Sequence, residues 1–170
     1  YGSFGNFGGS FNYQDEFSTK NSKTSILFTS DLLRLENRYK YENNALPESP
    51  EELMVGSEFS RINMSANVLT KLKSSDIQFI YWFSGSDRQI PQPLNYFSSN
   101  SQNQKDVAHR MLVGLDKRFK NSAKLSVKLF YENSLNSFVD TLWQFENNNQ
   151  YQIIQSQLCY VKRLLPRVKL

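Results

Sequence analysis

The chain has 170 residues, of which 39% are hydrophobic and 21% charged, and it carries a formal net charge of +4. This length and composition are typical of one domain with tails. No apolar run approaches the ~20 residues of a membrane-spanning helix, and the N-terminus lacks the basic flank and apolar segment of a signal peptide, so we expect no membrane partner. The lone Cys159 argues against a disulfide or a cysteine-based zinc site and favours the cytosol or nucleus.

The chain begins with a glycine- and aromatic-rich segment, YGSFGNFGGSFNYQ. We interpret residues 1–24 as a disordered tail, because glycine resists ordering and no period is apparent among the aromatics. A short strand is predicted over 24–30. A helix should follow from Ser30 or Asp31, because Leu32, Leu35 and Tyr39 share a helical face.

The clearest pattern is a β-hairpin in the segment FSRINMSANVLTKLKSSDIQFIYWF. Ile62, Met64, Ala66 and Val68 alternate with polar residues, which is the period of a strand. KSSD is a turn, and the β-branched and aromatic residues after it predict the second strand. SGSD, residues 84–87, is predicted to turn again.

Residues 107–119 fit either a helix or a strand, since apolar residues recur there at both spacings and Gly114 weakens a helix by about 1 kcal/mol. A turn and an alternating strand follow over 120–131. An amphipathic helix is predicted from Asn133 or Ser134, and a second helix after it, ending before Pro166. The domain boundaries we expect are 1–24 for the tail, 25–150 for a folded domain and 151–170 for a helical extension or linker.

Catalytic chemistry is poorly represented in the sequence. His109 is the single histidine, and no phosphate-binding glycine motif occurs. The acidic pairs Asp15–Glu16 and Glu51–Glu52 consist of adjacent residues, whose side chains point apart in a helix or strand. We therefore predict a protein that is not an enzyme, with no metal, no cofactor and no small-molecule substrate. Its basic residues cluster in 105–128 and at 162–169, which indicates either a polyanion partner or, as charge alone favours, a solvated surface.

Five short strands followed by a helix predict a mainly β chain, an OB-fold five-stranded barrel with a C-terminal α-helix behind a disordered Gly/Phe-rich tail. In this order and in the segments SILFTSDLL, FSRINMSANVLTKLKSSDIQFIYWFSGSDRQ and RMLVGLDKRFKNSAKLSVKLFYENSLNSFVDTLWQF, the chain resembles the middle subunit of the replication protein A family. Telomere-dedicated paralogues and the Stn-type subunit of the CST complex share this architecture. The resemblance covers about residues 1–150. It departs from the family at Ile90, where an aromatic is usual. Residues 151–170 follow the matched region at the place where family members usually carry a winged-helix domain.

The resemblance implies a nuclear subunit that assembles with large and small OB-fold partners and contacts single-stranded DNA weakly. The candidate nucleic-acid residues are Phe119, Arg118, Lys117, Lys120, Phe97 and Arg88. The candidate subunit interface lies on the predicted helix, at Leu135, Phe138, Val139, Leu142 and Phe145. The alternative hypothesis is a structural subunit without DNA binding, such as an FG-tailed assembly factor or an organellar ribosome subunit.

Overall fold

The computed structural model describes residues 5–44, 47–48, 51–54, 56–90, 102–120 and 122–162. Its main feature is one antiparallel sheet of seven strands whose spatial order follows the chain. The strands of this sheet are β1 Phe7–Ser18, β2 Ser22–Leu35, β5 Phe59–Leu72, β6 Ser75–Ile90, β7 Gln102–Arg118, β8 Lys124–Asp140 and β9 Phe145–Val161. A second, two-stranded sheet pairs β3 Lys40–Glu42 with β4 Glu51–Leu53, between β2 and β5. The prediction of a mainly β chain is confirmed.

The predicted hairpin is confirmed, because β5 and β6 pair antiparallel around residues 73–74. The ambiguous segment 107–119 lies almost wholly in β7, so the strand alternative holds there. The predicted turn at SGSD is wrong, since β6 continues through these residues to Ile90 and pairs there with β7. Serine and glycine do not end this strand because it has a hydrogen-bonded neighbour on each side.

The predicted disorder of the first 24 residues is wrong for residues 7–18. These residues form β1, and each of them pairs with a residue of β2. The physical reason lies in the sequence itself: Phe7, Phe11, Tyr13 and Phe17 fall at odd positions, with mostly small or polar residues between them, which is the strand period. Gly8 and Gly9, which follow Phe7, obscure the alternation of apolar and polar residues at the start of β1.

All three predicted helices are wrong, and the described residues contain no α-helix. The segment after Asp31 stays in β2 as far as Leu35, the helix predicted from Asn133 belongs to β8, and the second helix belongs to β9. Strand pairing overrides the helical spacing there, because every residue of β8 from Lys124 to Asp140 has a partner on β7 and on β9. The carboxylate of Asp140 then accepts hydrogen bonds from two backbone N–H groups of the following turn, which ends the strand.

The OB-fold barrel is not confirmed. The sheet has seven strands rather than five, and its first and last strands, β1 and β9, are not paired with each other. The sheet also has almost no core: among the described residues the buried apolar side chains are Ala108 and Ala123. A sheet ordinarily buries one face against another layer. Here the described residues leave both faces of the main sheet uncovered.

Candidate functional site: the two faces of the sheet

Strand register assigns every side chain of the main sheet to one of two faces. Residues directly opposite each other on neighbouring strands point to the same side, and successive residues along a strand point to opposite sides. One row of direct partners therefore crosses the whole sheet on one face: Tyr13, Phe28, Ala66, Tyr81, Met111, Tyr131 and Ile154. We call the face that carries this row the apolar face.

The apolar face is best defined on β7, in the interior of the sheet. Its odd-numbered positions from Val107 to Leu115 are apolar apart from His109, and Lys105 and Lys117 lie at the two ends of this run. At ~3.3 Å per residue, Val107 and Leu115 are about 26 Å apart along the strand. On β7 the apolar face thus forms a band of limited height between charged borders, with three residues of the strand before Lys105 and one after Lys117. On β8 the same face carries no charged residue from Leu125 to Val139.

Large side chains on this face are exposed. Phe11 is 56% exposed, Val113 43%, Leu129 49%, and Ile154 and Leu158 are 73% exposed each. They come from strands across the full width of the sheet, so the exposed apolar surface is continuous. Contiguous apolar patches of this kind mark contacts with another protein or with a membrane.

The opposite face is polar and is held together by cross-strand pairs. At its centre, a guanidinium nitrogen of Arg110 lies 3.0 Å from the Glu132 carboxylate, which also accepts hydrogen bonds from Ser134 at 2.8 Å and Tyr151 at 3.3 Å. Glu132 is only 9% exposed. The hydrogen bond from Arg110, followed by that from Ser134, holds the pKa of Glu132 below its ordinary value.

Similar contacts extend across the rest of this polar face. Asn63 donates to both carboxylate oxygens of Asp31, at 2.9 and 3.1 Å, and the hydroxyls of Thr29 and Ser65 lie 2.7 Å apart. A groove of about 680 Å³ is lined in part by these four residues and Trp82. The same face also carries apolar side chains, among them the row of direct partners Ile80, Leu112 and Phe130, so its polar pairs lie beside apolar groups.

Some of the polar groups on the apolar face are paired with each other. The Tyr81 hydroxyl and His109 Nδ1 are 2.8 Å apart, with the ring of Phe83 centred 5.0 Å from the imidazole. Near the border, Lys105 lies 3.3 Å from Asp87. Pairing of this kind lowers the cost of placing a polar group in apolar surroundings.

The two ends of the sheet differ. Short connections at one end, residues 19–21, 73–74 and 119–123, join β1 to β2, β5 to β6 and β7 to β8. At the other end, long connections over 36–58 and 91–101 join β2 to β5 and β6 to β7, and a four-residue connection over 141–144 joins β8 to β9. The sheet therefore has a short-turn end and a long-loop end.

Four of the predicted nucleic-acid residues meet at the short-turn end. Lys117 donates to the Ser74 hydroxyl at 3.1 Å, Arg118 forms two hydrogen bonds to Asp76 at 2.9 and 3.1 Å, and Phe119 is 43% exposed next to Lys120.

Arg88 lies apart from this group, thirteen residues along β6 from Ser75, the direct partner of Lys117. The separation is about 43 Å along the strand. Its guanidinium binds Gln104. Phe97 lies outside the described residues. Four of the six candidates, which are consecutive in sequence at 117–120, therefore lie at the short-turn end.

The predicted subunit-interface residues do not share one surface. Leu135 and Val139 lie on the apolar face of β8, Phe138 on its polar face, and Leu142 in the turn before β9. Phe138 packs on Phe145 across the hairpin, with ring centroids 6.1 Å apart. These residues would share one face of a helix, but in a strand successive side chains point to opposite faces, so the set is divided.

Sequence reasoning missed the two faces themselves. The signal was the period of two in each strand, which becomes a surface only when the register places the strands side by side.

In the described part of the chain, no helix has the length and apolar character to cross a membrane. The described residues also contain no group of three or more histidine, cysteine, aspartate or glutamate side chains placed to hold a metal ion. No protein-family model, curated protein or solved structure matches the chain.

Proposed function

We propose that the seven-stranded sheet spans a lipid bilayer as part of a pore-lining wall. In this proposal the apolar face contacts lipid acyl chains, and the polar face lines a water-filled interior through which polar solutes pass. The observation that carries the proposal is the apolar band between Lys105 and Lys117, exposed on one face of a single-layer sheet.

The dimensions of the band support a bilayer. Eleven residues, 106–116, separate the two lysines on β7. A tilted strand crosses the hydrocarbon region in about 9–11 residues, and the lipid-facing band of such sheets is about 25 Å tall. Strands of 14 to 17 residues, as in β2 and β5–β9, are long enough to cross and to project on both sides.

The polar face and the connections support the same proposal. Membrane-spanning sheets alternate apolar residues toward lipid with polar residues toward the interior, and have short turns on one side and longer loops on the other. The cluster of Arg110 with Glu132 and the pair of Asp31 with Asn63 lie on the face that would be wet. Backbone hydrogen bonds between adjacent strands satisfy the polar main chain of the five inner strands, β2 and β5–β8, as the hydrocarbon region requires.

A second protein layer over the apolar face would also cover it, but the shape of the band favours lipid. Packed sheets interdigitate side chains over the area of overlap. On β7, by contrast, the apolar residues give way to lysines at both ends, with three residues of the strand before Lys105 and one after Lys117. Charged side chains at the two borders suit the headgroup regions on either side of a bilayer.

This proposal departs from the expectation of a nuclear protein without a membrane partner. Single-stranded DNA binding stays a prediction, with Phe119 and its three basic neighbours as the residues to vary. Under the membrane proposal the same residues would lie in the headgroup region at the short-turn end, where lysine and arginine side chains meet lipid phosphates.

Tryptophan fluorescence in vesicles tests the proposal. In a background in which Trp82 and Trp143 are replaced by phenylalanine, one variant carries Val113→Trp on the apolar face and its matched control carries Leu112→Trp on the polar face. Both positions lie at nearly the same depth because they are adjacent on β7. We expect lipids brominated on their acyl chains to quench Val113→Trp strongly and Leu112→Trp weakly.

Aqueous iodide should give the reverse order, since the polar face would be in contact with water. Equal quenching of the two variants by brominated lipid would contradict a lipid-facing apolar face. If the protein binds vesicles but iodide strongly quenches both tryptophan variants, the sheet lies outside the hydrocarbon region. This result would also contradict the proposal.

A further inference from the structure

The two outermost strands of the sheet each have a single neighbour. β1 pairs with β2 and β9 pairs with β8, and the described residues supply no strand for their other sides. Along each outer side, alternate backbone N–H and C=O groups point away from the sheet. In a bilayer each such unsatisfied group costs several kcal/mol, so an uncovered edge is not stable there.

Neither edge carries the features with which natural proteins block pairing. β9 has 17 residues without a proline, and no charged side chain occurs between Glu146 and Lys162. On β1 the charges are confined to Asp15 and Glu16, near one end of the strand. Exposed strands of this length ordinarily carry lysine, proline or a bulge unless another strand covers them.

The direction of the strands determines what can cover these edges. Each strand of the sheet runs antiparallel to its neighbours, and with seven strands β1 and β9 therefore run in the same direction. Direct closure of β9 onto β1 would require a parallel pair. Closure with antiparallel pairs throughout requires an odd number of added strands.

A second copy of this chain does not meet the requirement in a bilayer. Rotation about an axis parallel to the strands places β9 of one copy beside β1 of the other, and these two strands would run parallel. Rotation about an axis perpendicular to the sheet gives antiparallel edges, but it turns the second copy over. The short-turn ends of the two copies would then lie on opposite sides of the membrane.

We propose that β1 and β9 each pair with an antiparallel strand of a sequence other than this chain's, and that an odd number of such strands closes the sheet. This inference rests on the proposed membrane function. The partner strands alternate apolar and polar residues, with the apolar ones continuing the band of Phe11, Tyr13, Ile154 and Leu158. Main-chain hydrogen bonds supply the affinity and this alternation sets the register.

Hydrogen exchange on the protein purified from its own membrane tests the inference, with the β6–β7 pair as the internal reference. We expect the amides of β1 and β9 to exchange as slowly as those of β6 and β7, because each would have a partner on both sides. Amides that exchange rapidly at either edge, while those of β6 and β7 stay protected, would overturn the proposal.

A spin label on the exposed Cys159 of β9 identifies the source of the covering strand. We expect no dipolar coupling between labels of different molecules. Coupling between two chains, together with protected edges, would show that a second copy covers β9 and would also overturn the proposal. Rapid exchange at the edges with retained brominated-lipid quenching of Val113→Trp would refute this inference alone, whereas protected edges without that quenching would refute the membrane function.

Discussion

A lysine placed on the apolar face should destabilise the sheet far more than a lysine at the same depth on the polar face. Leu129 is the test position, because it is 49% exposed and directly opposite Val113. Val113 lies four residues from the border lysine Lys117, which is about 13 Å along the strand. Met111, at six residues from both border lysines, would mark the midplane, so the Leu129 row lies about 7 Å along the strand from it.

An arginine or lysine on the lipid side costs about 2–4 kcal/mol at the midplane and about 0–1 kcal/mol near the interfaces. For Leu129→Lys we expect about 2 kcal/mol, since its row is displaced from the midplane. This loss corresponds to a change of about thirtyfold in the ratio of folded to unfolded chain. The assay is urea unfolding of the protein in lipid vesicles, followed by fluorescence.

The matched control is Gln78→Lys. Gln78 precedes Phe79, the direct partner of Val113, and it points to the polar face. A lysine there stays hydrated, and the native Lys128 already occupies the same cross-sheet row. We expect a change within about 0.5 kcal/mol. An equal effect of Leu129→Lys and Gln78→Lys, or a larger effect of the control, would refute the assignment of the two faces.

Three further predictions concern the polar face, the last turn and the short-turn end. The pKa of Glu132 is lowered in the folded sheet, so its ionised form stabilises the fold above the ordinary glutamate pKa, and this contribution is lost as the pH falls through the lowered value. Glu132→Gln should therefore flatten the acid side of the stability profile and destabilise the sheet at neutral pH by leaving Arg110 unpaired; a profile identical to the wild type would argue against the pair. Asp140→Ala should cost about 1–3 kcal/mol in urea unfolding, because two turn amides lose their acceptor, and no loss would mean that the turn forms without this carboxylate. If the short-turn end binds single-stranded DNA, Lys117→Ala combined with Lys120→Ala should reduce the salt slope of binding by about 0.7 or less for each lost phosphate contact, as measured by fluorescence anisotropy, and an unchanged slope would place both lysines away from the nucleic acid.

Local pattern was sufficient for the parts of the fold in which alternation is strong. The β5–β6 hairpin follows from the apolar positions between Ile62 and Val68 and from the turn that begins at Lys73, and the structure contains it. Alternation is also present in β1, but the glycines at its start support a disordered tail equally well. Residues 135–145 carry apolar side chains three and four residues apart, which predicts a helix, whereas the strand period places Leu135 and Val139 on one face of β8 and Phe138 on the other.

The faces could not be predicted from one segment at a time. Whether Met111 shares a surface with Tyr81 and Tyr131 depends on register, since a slip of one residue moves a strand's whole apolar set to the other side of the sheet. A single strand also does not tell whether its apolar side meets a protein core or lipid. Only the arrangement of seven strands in one layer shows that these apolar side chains are exposed, which is the observation behind the lipid proposal.

A spin-label scan along β7 tests the central claim most directly. In a Cys159→Ser background, each residue from 105 to 117 is replaced in turn by a labelled cysteine, and accessibility to oxygen and to a water-soluble nickel complex is measured in vesicles. We expect oxygen accessibility to peak at odd positions, with its maximum near Met111, and nickel accessibility to peak at even positions. Accessibilities that rise and fall together, or a nickel maximum at Met111, would contradict a sheet that presents one face to lipid and the other to water.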